Sequence, residues 1–228
     1  MLRSSLRAIL AALMRILFRP RISGTENIPQ SGPCIIAANH LSFSDHVFIS
    51  IATKRPVCFI GKAERLTGTG LKGLVSKVFF SAVGIVPVER DGGPGGVAAL
   101  EQARGVIEEG RVFGIHPEGT RSPDGRVHRG RTGVGWLAMA TGAPVVPCGL
   151  AGTEKVQPLG SLLPRPVRFD MHFGAPMRFP GQVGSERDPR LRRSVTDQIM
   201  RQVQELSGLE YADRYASKDK APAGRTAH

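Results

Sequence analysis

Short apolar runs alternate with helix-like segments along this chain, and several runs end abruptly in polar or charged residues. The clearest cases are Cys34–Ala38 before Asn39-His40, Gly84–Val88 before Glu89-Arg90, and Arg111–Ile115 before His116. Such runs predict buried strands, and strands that alternate with helices predict an α/β sheet covered on both faces. Because the carboxyl ends of parallel strands line one crevice, we expect these polar residues to share a site.

The pattern predicts one α/β domain with a mostly parallel or mixed central sheet flanked by helices. Predicted strands cover 34–38, 56–60, 84–88, 111–115, 144–150 and 166–173, and predicted helices cover 45–53, 71–80, 97–109, 132–141 and 190–206. A chain of 228 residues is long enough to bury a substantial core. We divide it into an N-terminal helix at 1–22, the domain proper at 23–210, and a basic, flexible tail at 211–228.

The net charge of +12 predicts anionic partners, which include nucleic acid, anionic lipid and phosphorylated metabolites. Specific nucleic-acid binding is disfavoured, since aromatic residues for base stacking make up 6% of the chain and no nucleic-acid-binding motif is evident. Cys34, Cys58 and Cys148 lie in apolar stretches without CxxC spacing, which indicates buried thiols in a reducing compartment. The histidines show no zinc-binding spacing, so we expect no metal.

Residues Leu2–Phe18 predict an amphipathic, basic helix. Apolar residues recur at helical spacing and arginines fall largely on the other side: Leu2, Leu6, Ile9, Leu10, Leu13, Ile16 and Leu17 against Arg3, Arg7, Arg15 and Arg19. Arginines interrupt every window long enough to span a bilayer, so we expect the helix to lie on an anionic membrane surface, at its cytoplasmic face. The alternative is a helix packed on the domain's own core, and one helix can do both.

The segment Asn39–Asp45, NHLSFSD, places a histidine five residues before an aspartate. An imidazole becomes an effective base when a carboxylate holds its Nδ1–H, so His40 and Asp45 predict a base and its orienting partner. Ser42 or Ser44 would cap a helix that carries Asp45 on its first turn. The plainer alternative is that His40 and Asp45 only cap and solvate that helix. A serine nucleophile is a further alternative, although neither serine lies in a G-x-S-x-G elbow.

Arginines at the same strand ends indicate a phosphorylated substrate. The planar guanidinium binds phosphate through two parallel hydrogen bonds, and Arg90 and Arg121 both follow predicted strands. Arg129 and Arg131, slightly downstream, would add a further cation. The alternative for each arginine taken singly is a solvated surface charge.

Four segments together resemble the motifs of the glycerolipid acyltransferases, in the family's order. They are NHLSFSD (39–45), GIVPVER (84–90), HPEGTRS (116–122) and APVVPCGL (143–150). The resemblance covers approximately residues 24 to 179. One departure is His116, which stands where the family's third motif usually has phenylalanine, and a polar replacement at a partly exposed position accounts for it.

The resemblance implies transfer of a fatty acyl group from acyl-CoA or acyl carrier protein to the sn-2 hydroxyl of lysophosphatidate, without a further cofactor or metal. It implies that His40 is the general base and Asp45 its orienting carboxylate. The implied substrate-binding residues are Arg90, Glu118, Gly119 and Arg121 at the glycerol phosphate, with Lys62 near the acceptor and Arg131 at the phosphate or the donor. Alternatives are a different lysophospholipid or glycolipid acceptor, or a membrane adaptor without catalysis.

Overall fold

The computed structural model describes residues 2–62, 85–88, 96–158, 160, 161 and 163–217. Its strands are β1 (Arg21–Ser23), β2 (Cys34–Ala38), β3 (Val57–Lys62), β4 (Ile85–Val88), β5 (Val112–Ile115), β6 (Val127–His128), β7 (Val145–Ala151), β8 (Asp170–Phe173) and β9 (Tyr211–Ala212). Within the described residues, seven strands form one sheet in the order β1-β8-β7-β2-β5-β3-β4, and β6 pairs with β9. The β7–β8 pair is antiparallel and the other pairs are parallel, which confirms the mixed α/β sheet.

Helices cover both faces of the sheet. They are α1 (Leu2–Phe18), α2 (Asp45–Ala52), α3 (Val97–Glu108), α4 (Gly133–Thr141), the one-turn α5 (Thr153–Val156) and α6 (Pro189–Ser207). Strand β2 is buried on both sides: Ile36 packs in the cluster that contains α1 and α2 residues, and Ile35 packs with residues of α3, α4 and α6. This explains the continuous apolar run in β2, since a central parallel strand has no face left for water.

Helix α6 has sequence signals at both ends and close contacts along its length. The Asp188 carboxylate caps it by accepting hydrogen bonds from the backbone N–H groups of Arg190 and Leu191, and Gly208 ends it in a left-handed conformation. A Cβ atom at Gly149 of β7 would lie 2.3 Å from the backbone nitrogen of Ser207. Glycine is therefore required where the end of α6 crosses the sheet.

Several boundaries differ from the sequence predictions. The last predicted strand, 166–173, is reduced to β8, because Pro166 and its neighbours run as an extended loop before Asp170. The proposed division at residue 22 is wrong, since Arg21–Ser23 pairs with β8 inside the sheet. The flexible tail does not begin at 211, since Tyr211–Ala212 pairs with β6 and Ala216 is buried. The predicted helix at 71–80 lies outside the described residues.

From residue 8 onward, where its side chains are described, helix α1 packs on the domain through one side. Met14 is buried, and the Phe18 ring meets the Phe48 ring edge-on at 5.2 Å between centroids. Ile9, Leu13, Ile16 and Leu17 keep 57%, 47%, 69% and 52% of their surface exposed. Among the described residues, no helix combines the length and apolarity that crossing a bilayer requires.

Candidate active site

Two neighbouring parallel strands bring the predicted polar loops together. Ala37 of β2 lies opposite Ile115 of β5 in the register, so His40 and His116 follow adjacent strand ends at the same edge of the sheet. The predicted convergence is confirmed for these two loops. Arg90 lies outside the described residues. Lys62 is the last residue of β3, and only its backbone is among the described parts of the chain.

The His40 imidazole is bonded to Asp45 as the spacing predicts. Its Nδ1 lies 2.9 Å from Asp45 Oδ2, and the same oxygen accepts hydrogen bonds from the backbone nitrogens of Leu41 (2.7 Å) and Ser42 (2.8 Å). Because an ionised carboxylate only accepts, Nδ1 carries the hydrogen and Nε2 presents its lone pair. Asp45 is fully buried, whereas the His40 side chain is 16% exposed. The imidazole is thus oriented at one nitrogen and accessible at the other.

Burial sets the protonation of both partners. Burial, with the nearby charge of Arg121 as the second cause, lowers the pKa of His40 below its ordinary value, so the ring is neutral around pH 7. Burial also raises the pKa of Asp45, an effect opposed by His116, by the Thr153 hydroxyl and by the backbone N–H groups of the His40 loop. A neutral imidazole with a free Nε2 is the state that a general base needs.

The loop after β5 holds the backbone of His40 from both sides. Glu118 Oε1 accepts a hydrogen bond from the His40 nitrogen at 3.0 Å, and the Ser122 nitrogen donates to the His40 carbonyl at 2.6 Å. The other Glu118 oxygen accepts from the His128 nitrogen at 3.2 Å. Burial raises the pKa of Glu118 to about 8 against these two N–H donors. Glu118 is fully buried, and its geometry makes it a residue that positions the His40 loop. Its carboxylate is not open to a substrate.

His116 stacks on the His40 ring. The two imidazoles are 4.1 Å apart between centroids and 11° from parallel. His116 Nδ1 lies 3.1 Å from the Ala38 carbonyl and 3.0 Å from the Asn39 carbonyl, so this nitrogen carries the hydrogen. The flat ring occupies the face of the predicted base, as phenylalanine would, and it adds a hydrogen bond to the end of β2.

The two serines of the motif are structural. Ser44 stands at the N-cap of α2 without a side-chain capping bond, so the predicted cap is wrong. Its hydroxyl donates instead to Gln157 Oε1 at 2.6 Å, and the Ser42 hydroxyl donates to the Gln157 carbonyl at 3.3 Å. Both serines are buried. Buried hydroxyls committed to Gln157 do not fit a nucleophile, which has to reach a substrate carbonyl.

The arginines differ in their surroundings. Arg121 is half-buried and close enough to His40 to lower its pKa, which brings a cation to the side of the predicted base. Arg131 is exposed, and its stem lies against Gly119. Gly119 has a φ of +74°, a conformation that glycine adopts without strain. In the part of the chain that the structure describes, no carboxylate lies within salt-bridge distance of Arg121 or Arg131.

Two residues around the site had no assigned role in the sequence interpretation. The Asn39 side chain bonds both backbone groups of Leu150, at 2.8 and 2.9 Å, and so extends the ladder between β2 and β7 into the loop that carries His40. Thr153 brings a buried hydroxyl toward Asp45. A role for Asn39 could have been inferred from its position at the start of the NHLSFSD motif. Thr153 gave no such signal, because it is far from Asp45 in sequence.

The cysteines agree with the prediction of buried thiols. Cys34, Cys58 and Cys148 are free and buried, and burial raises the pKa of each thiol, that of Cys34 to about 12. Thiols of this kind are unreactive packing residues. Among the described residues, no three His, Cys, Asp or Glu side chains group as metal ligands.

Three comparisons with known proteins agree on the kind of protein. The model of the family described as Acyltransferase matches residues 19–151. A chloroplastic 1-acyl-sn-glycerol-3-phosphate acyltransferase of Brassica napus is 34% identical over 145 residues, which are 63% of this chain and 40% of the relative. A protein of the same name from Borreliella burgdorferi is 29% identical, over 58% of this chain and 51% of the relative.

A solved structure shares the fold. The crystal structure of the 1-acyl-sn-glycerophosphate (LPA) acyltransferase PlsC from Thermotoga maritima matches with a TM-score of 0.65 and 27% identity, over 90% of this chain and 82% of that chain. The chain spans about two fifths of the length of the plant relatives it matches. Because the family model covers more than half of the residues and the fold agrees with it, the chain belongs to the Acyltransferase family.

Proposed function

We propose that the protein is an O-acyltransferase that moves a fatty acyl group from a thioester, on coenzyme A or acyl carrier protein, to the sn-2 hydroxyl of 1-acylglycerol-3-phosphate. The product is phosphatidate, a precursor of phospholipids. The observation that carries the proposal is a partly exposed imidazole held at Nδ1 by buried Asp45, with the Arg121 guanidinium beside it and no carboxylate of the described residues paired with that guanidinium. The names of the relatives and of the PlsC structure support the choice of acceptor.

The geometry accounts for the chemistry in one displacement. His40 Nε2 takes the proton of the acceptor hydroxyl while that oxygen forms a bond to the thioester carbonyl carbon. The tetrahedral species then breaks its carbon–sulfur bond, and His40 returns the proton to the departing thiolate. Asp45 keeps the ring in the correct tautomer and stabilises the imidazolium formed between the two proton transfers. An activated thioester needs no acyl-enzyme, which agrees with the buried serines.

The test is an acyl-transfer assay with the full chain. Acyl-CoA and acyl carrier protein are offered as donors to a panel of acceptors: lysophosphatidate, lysophosphatidylcholine, lysophosphatidylglycerol and a lyso-glycolipid. The proposal expects lysophosphatidate to give the highest kcat/KM with at least one donor. A higher kcat/KM for a neutral-headgroup acceptor would move the protein to another lysolipid. Turnover with none of the pairs would contradict catalysis and favour an adaptor.

Arg121 is expected to bind the acceptor's phosphate. Arg121→Ala should raise the acceptor KM by about 10-fold or more, the size expected when a charge-assisted hydrogen bond is lost, and leave the donor KM nearly unchanged. Arg121→Lys should recover part of the loss, since lysine restores the charge without the fork. Steady-state kinetics with each substrate varied in turn measure this. A selective rise in the donor KM would reassign Arg121 to the donor.

The outer side of α1 supports a further proposal, that the protein works at an anionic membrane surface facing the cytoplasm, where a lysophospholipid acceptor is found. Ile9, Leu13 and Ile16 are exposed on this side, and Arg15 and Arg19 near the end of the helix are exposed as well. Exposed apolar side chains next to cations fit the boundary between acyl chains and anionic headgroups. The inner side, with Met14, remains in the core, so the two interpretations of this helix are compatible.

Replacing Ile9, Leu13 and Ile16 together with serine should release the protein from anionic vesicles without unfolding it, because none of the three is buried. Binding of the unaltered protein should weaken with salt but persist, since arginine attraction is screened and apolar insertion is not. Co-sedimentation with vesicles containing phosphatidylglycerol measures both. The matched control is Val97→Ser/Val183→Ser, which removes exposed apolar side chains elsewhere. Equal release by the control, or retention of the triple variant, would contradict docking through α1.

A further inference from the structure

A second pair of arginines lies beside the catalytic loop on an aromatic ring from the C-terminal segment. The guanidinium carbons of Arg129 and Arg131 are 5.7 and 5.4 Å from the centroid of the Tyr215 ring, within the range of cation–π contacts. Pairing of β6 with β9 brings this segment into place, and the Arg129 nitrogen donates to the Arg214 carbonyl at 3.0 Å. Residues assigned from sequence to a flexible tail thus build part of the surface next to the site.

Among the described residues, Arg131 is held in place without a carboxylate to pair with its charge. Its backbone nitrogen donates to the Pro117 carbonyl at 2.7 Å, and its Cδ and Nε atoms lie 3.0 Å from where a Cβ atom of Gly119 would stand. Together with the Tyr215 ring, these contacts fix an exposed guanidinium for which no described carboxylate is in reach. Holding an arginine costs rotamer freedom. An arginine that is ordered but unpaired is therefore set to receive an anion from outside the chain.

Nearby arginines show the contrast. Arg126 and Arg214 both donate to Asp124 Oδ2, at 2.7 and 3.2 Å, so their charges are paired with a carboxylate of the same chain. Arg129 has a weak contact, 3.9 Å from Asp213 Oδ1. Among the described arginines of this neighbourhood, the guanidinium groups without a close carboxylate are therefore the two that lie over the Tyr215 ring.

We propose that Arg129 and Arg131, held over Tyr215, bind the phosphate of the donor's phosphopantetheine arm. The inference rests on the proposed function, because it assumes a thioester donor. Coenzyme A and acyl carrier protein both carry the acyl group on this arm, so the chemistry is shared by the two sources. In coenzyme A, further phosphates of the nucleotide lie next to the arm and would share the site.

The two substrates differ in the distance between the phosphate and the reacting atom, which separates the donor's phosphate site from that of the acceptor. In lysophosphatidate the phosphate is two carbons from the reacting hydroxyl, so its cation has to lie near His40, as Arg121 does. Arg121 is close enough to His40 for its charge to lower the pKa of His40, whereas the Arg131 guanidinium lies over the Tyr215 ring of the C-terminal segment. In the donor the whole pantetheine chain separates the thioester from the phosphate. A cation set back from the base suits the donor.

Arg131→Gln is the test, with kinetics on three donors that share one acyl chain: acyl-CoA, acyl carrier protein and acyl-pantetheine, which lacks the phosphate. The proposal expects the KM for acyl-CoA to rise about 10-fold or more, with an unchanged KM for acyl-pantetheine and for lysophosphatidate. A rise for acyl carrier protein as well places the arm's own phosphate at the site. A rise for acyl-CoA alone would place the nucleotide phosphates there instead and contradict binding of the arm's phosphate. An equal rise for acyl-pantetheine, or a rise for the acceptor, would overturn the proposal.

Three further variants separate the effects of the Tyr215 ring and of the Arg131 charge from a general change in the protein's charge. Tyr215→Phe keeps an aromatic face and should retain the unaltered KM, whereas Tyr215→Leu should reproduce part of the Arg131→Gln effect. Arg178→Gln is the matched control, since Arg178 is exposed and close to Cys34 at the amino end of β2, away from His40. If Arg178→Gln raises the acyl-CoA KM equally, the effect is one of overall charge and the proposed site is wrong.

A binding measurement distinguishes failure of this inference from failure of the proposed acyltransferase activity. Titration calorimetry with coenzyme A and with pantetheine measures binding without acyl transfer. The inference expects coenzyme A to bind the unaltered protein and to bind Arg131→Gln about 10-fold more weakly, with pantetheine unaffected by the substitution. Binding of coenzyme A that does not change in Arg131→Gln would overturn the inference, whether or not the protein transfers acyl groups.

Discussion

His40→Ala is expected to lower kcat for acyl transfer by about 10²–10⁴-fold, the range that a positioned general base contributes. The acceptor KM should change little, because we propose that Arg121, and not His40, holds the phosphate. The fold should survive, since the His40 side chain is partly exposed and its backbone stays bonded to Glu118 and Ser122. Single-turnover rates at saturating substrates measure the effect, and a thermal melt verifies the fold.

The matched control is His172→Ala. His172 lies near the edge of the sheet on β8 and bonds the Ser23 hydroxyl, outside the site. The His172→Ala variant should keep its activity, since it removes a histidine that has no contact with His40. If His40→Ala retained activity within a few-fold of the unaltered enzyme, the assignment of the base would be wrong.

The pH dependence gives a second measure of the same base. Burial and Arg121 lower the pKa of His40, so the neutral, active form persists to lower pH than for an ordinary histidine. The acid limb of kcat/KM is therefore expected below pH about 6.5, the unperturbed value. In Arg121→Lys the positive charge remains and the limb should stay low. In Arg121→Ala the limb should move upward, because one of the two causes of the lowered pKa has been removed.

The contact between His40 and Asp45 could be predicted from the sequence because its determinants are local. A buried strand, a short loop and one turn of helix fix the distance between His40 and Asp45, and all three could be identified within a dozen residues. The neighbouring position of His116 also followed from sequence, since adjacent parallel strands end at the same edge. Helical spacing did not predict which side of α1 packs on the domain, since Met14 and Phe18 lie outside the predicted apolar stripe.

Contacts between distant segments could not be predicted in this way. The family resemblance implied that Glu118 binds the glycerol phosphate, yet its carboxylate accepts hydrogen bonds from the backbone of His40 and of His128. Only the fold brings those two N–H groups to one buried carboxylate. Tyr215 is a similar case, since its approach to Arg131 depends on pairing between β6 and β9, which are too short to give a strand pattern.

Asp45→Asn is expected to lower kcat by about 10²–10³-fold, the size seen when one electrostatic stabiliser of a transition state is removed. Three N–H groups, from His40, Leu41 and Ser42, converge on Asp45 Oδ2. They require an acceptor there, so the amide oxygen of the variant takes that position. The amide NH₂ then points toward the place of Asp45 Oδ1, which is buried and has no hydrogen-bond partner among the described residues.

The buried Thr153 hydroxyl is close enough to the Asp45 carboxylate to lower its pKa, and it can accept a hydrogen bond from the new NH₂. The amide would therefore keep the His40 tautomer and the fold, and the loss would come from the missing negative charge beside the imidazolium. Asp197→Asn, which alters a carboxylate bound to Arg193 on α6, is the control and should keep its activity. A thermal melt close to that of the unaltered protein, with kcat reduced only in Asp45→Asn, is the expected pattern. Full activity of Asp45→Asn would show that the carboxylate charge takes no part in catalysis.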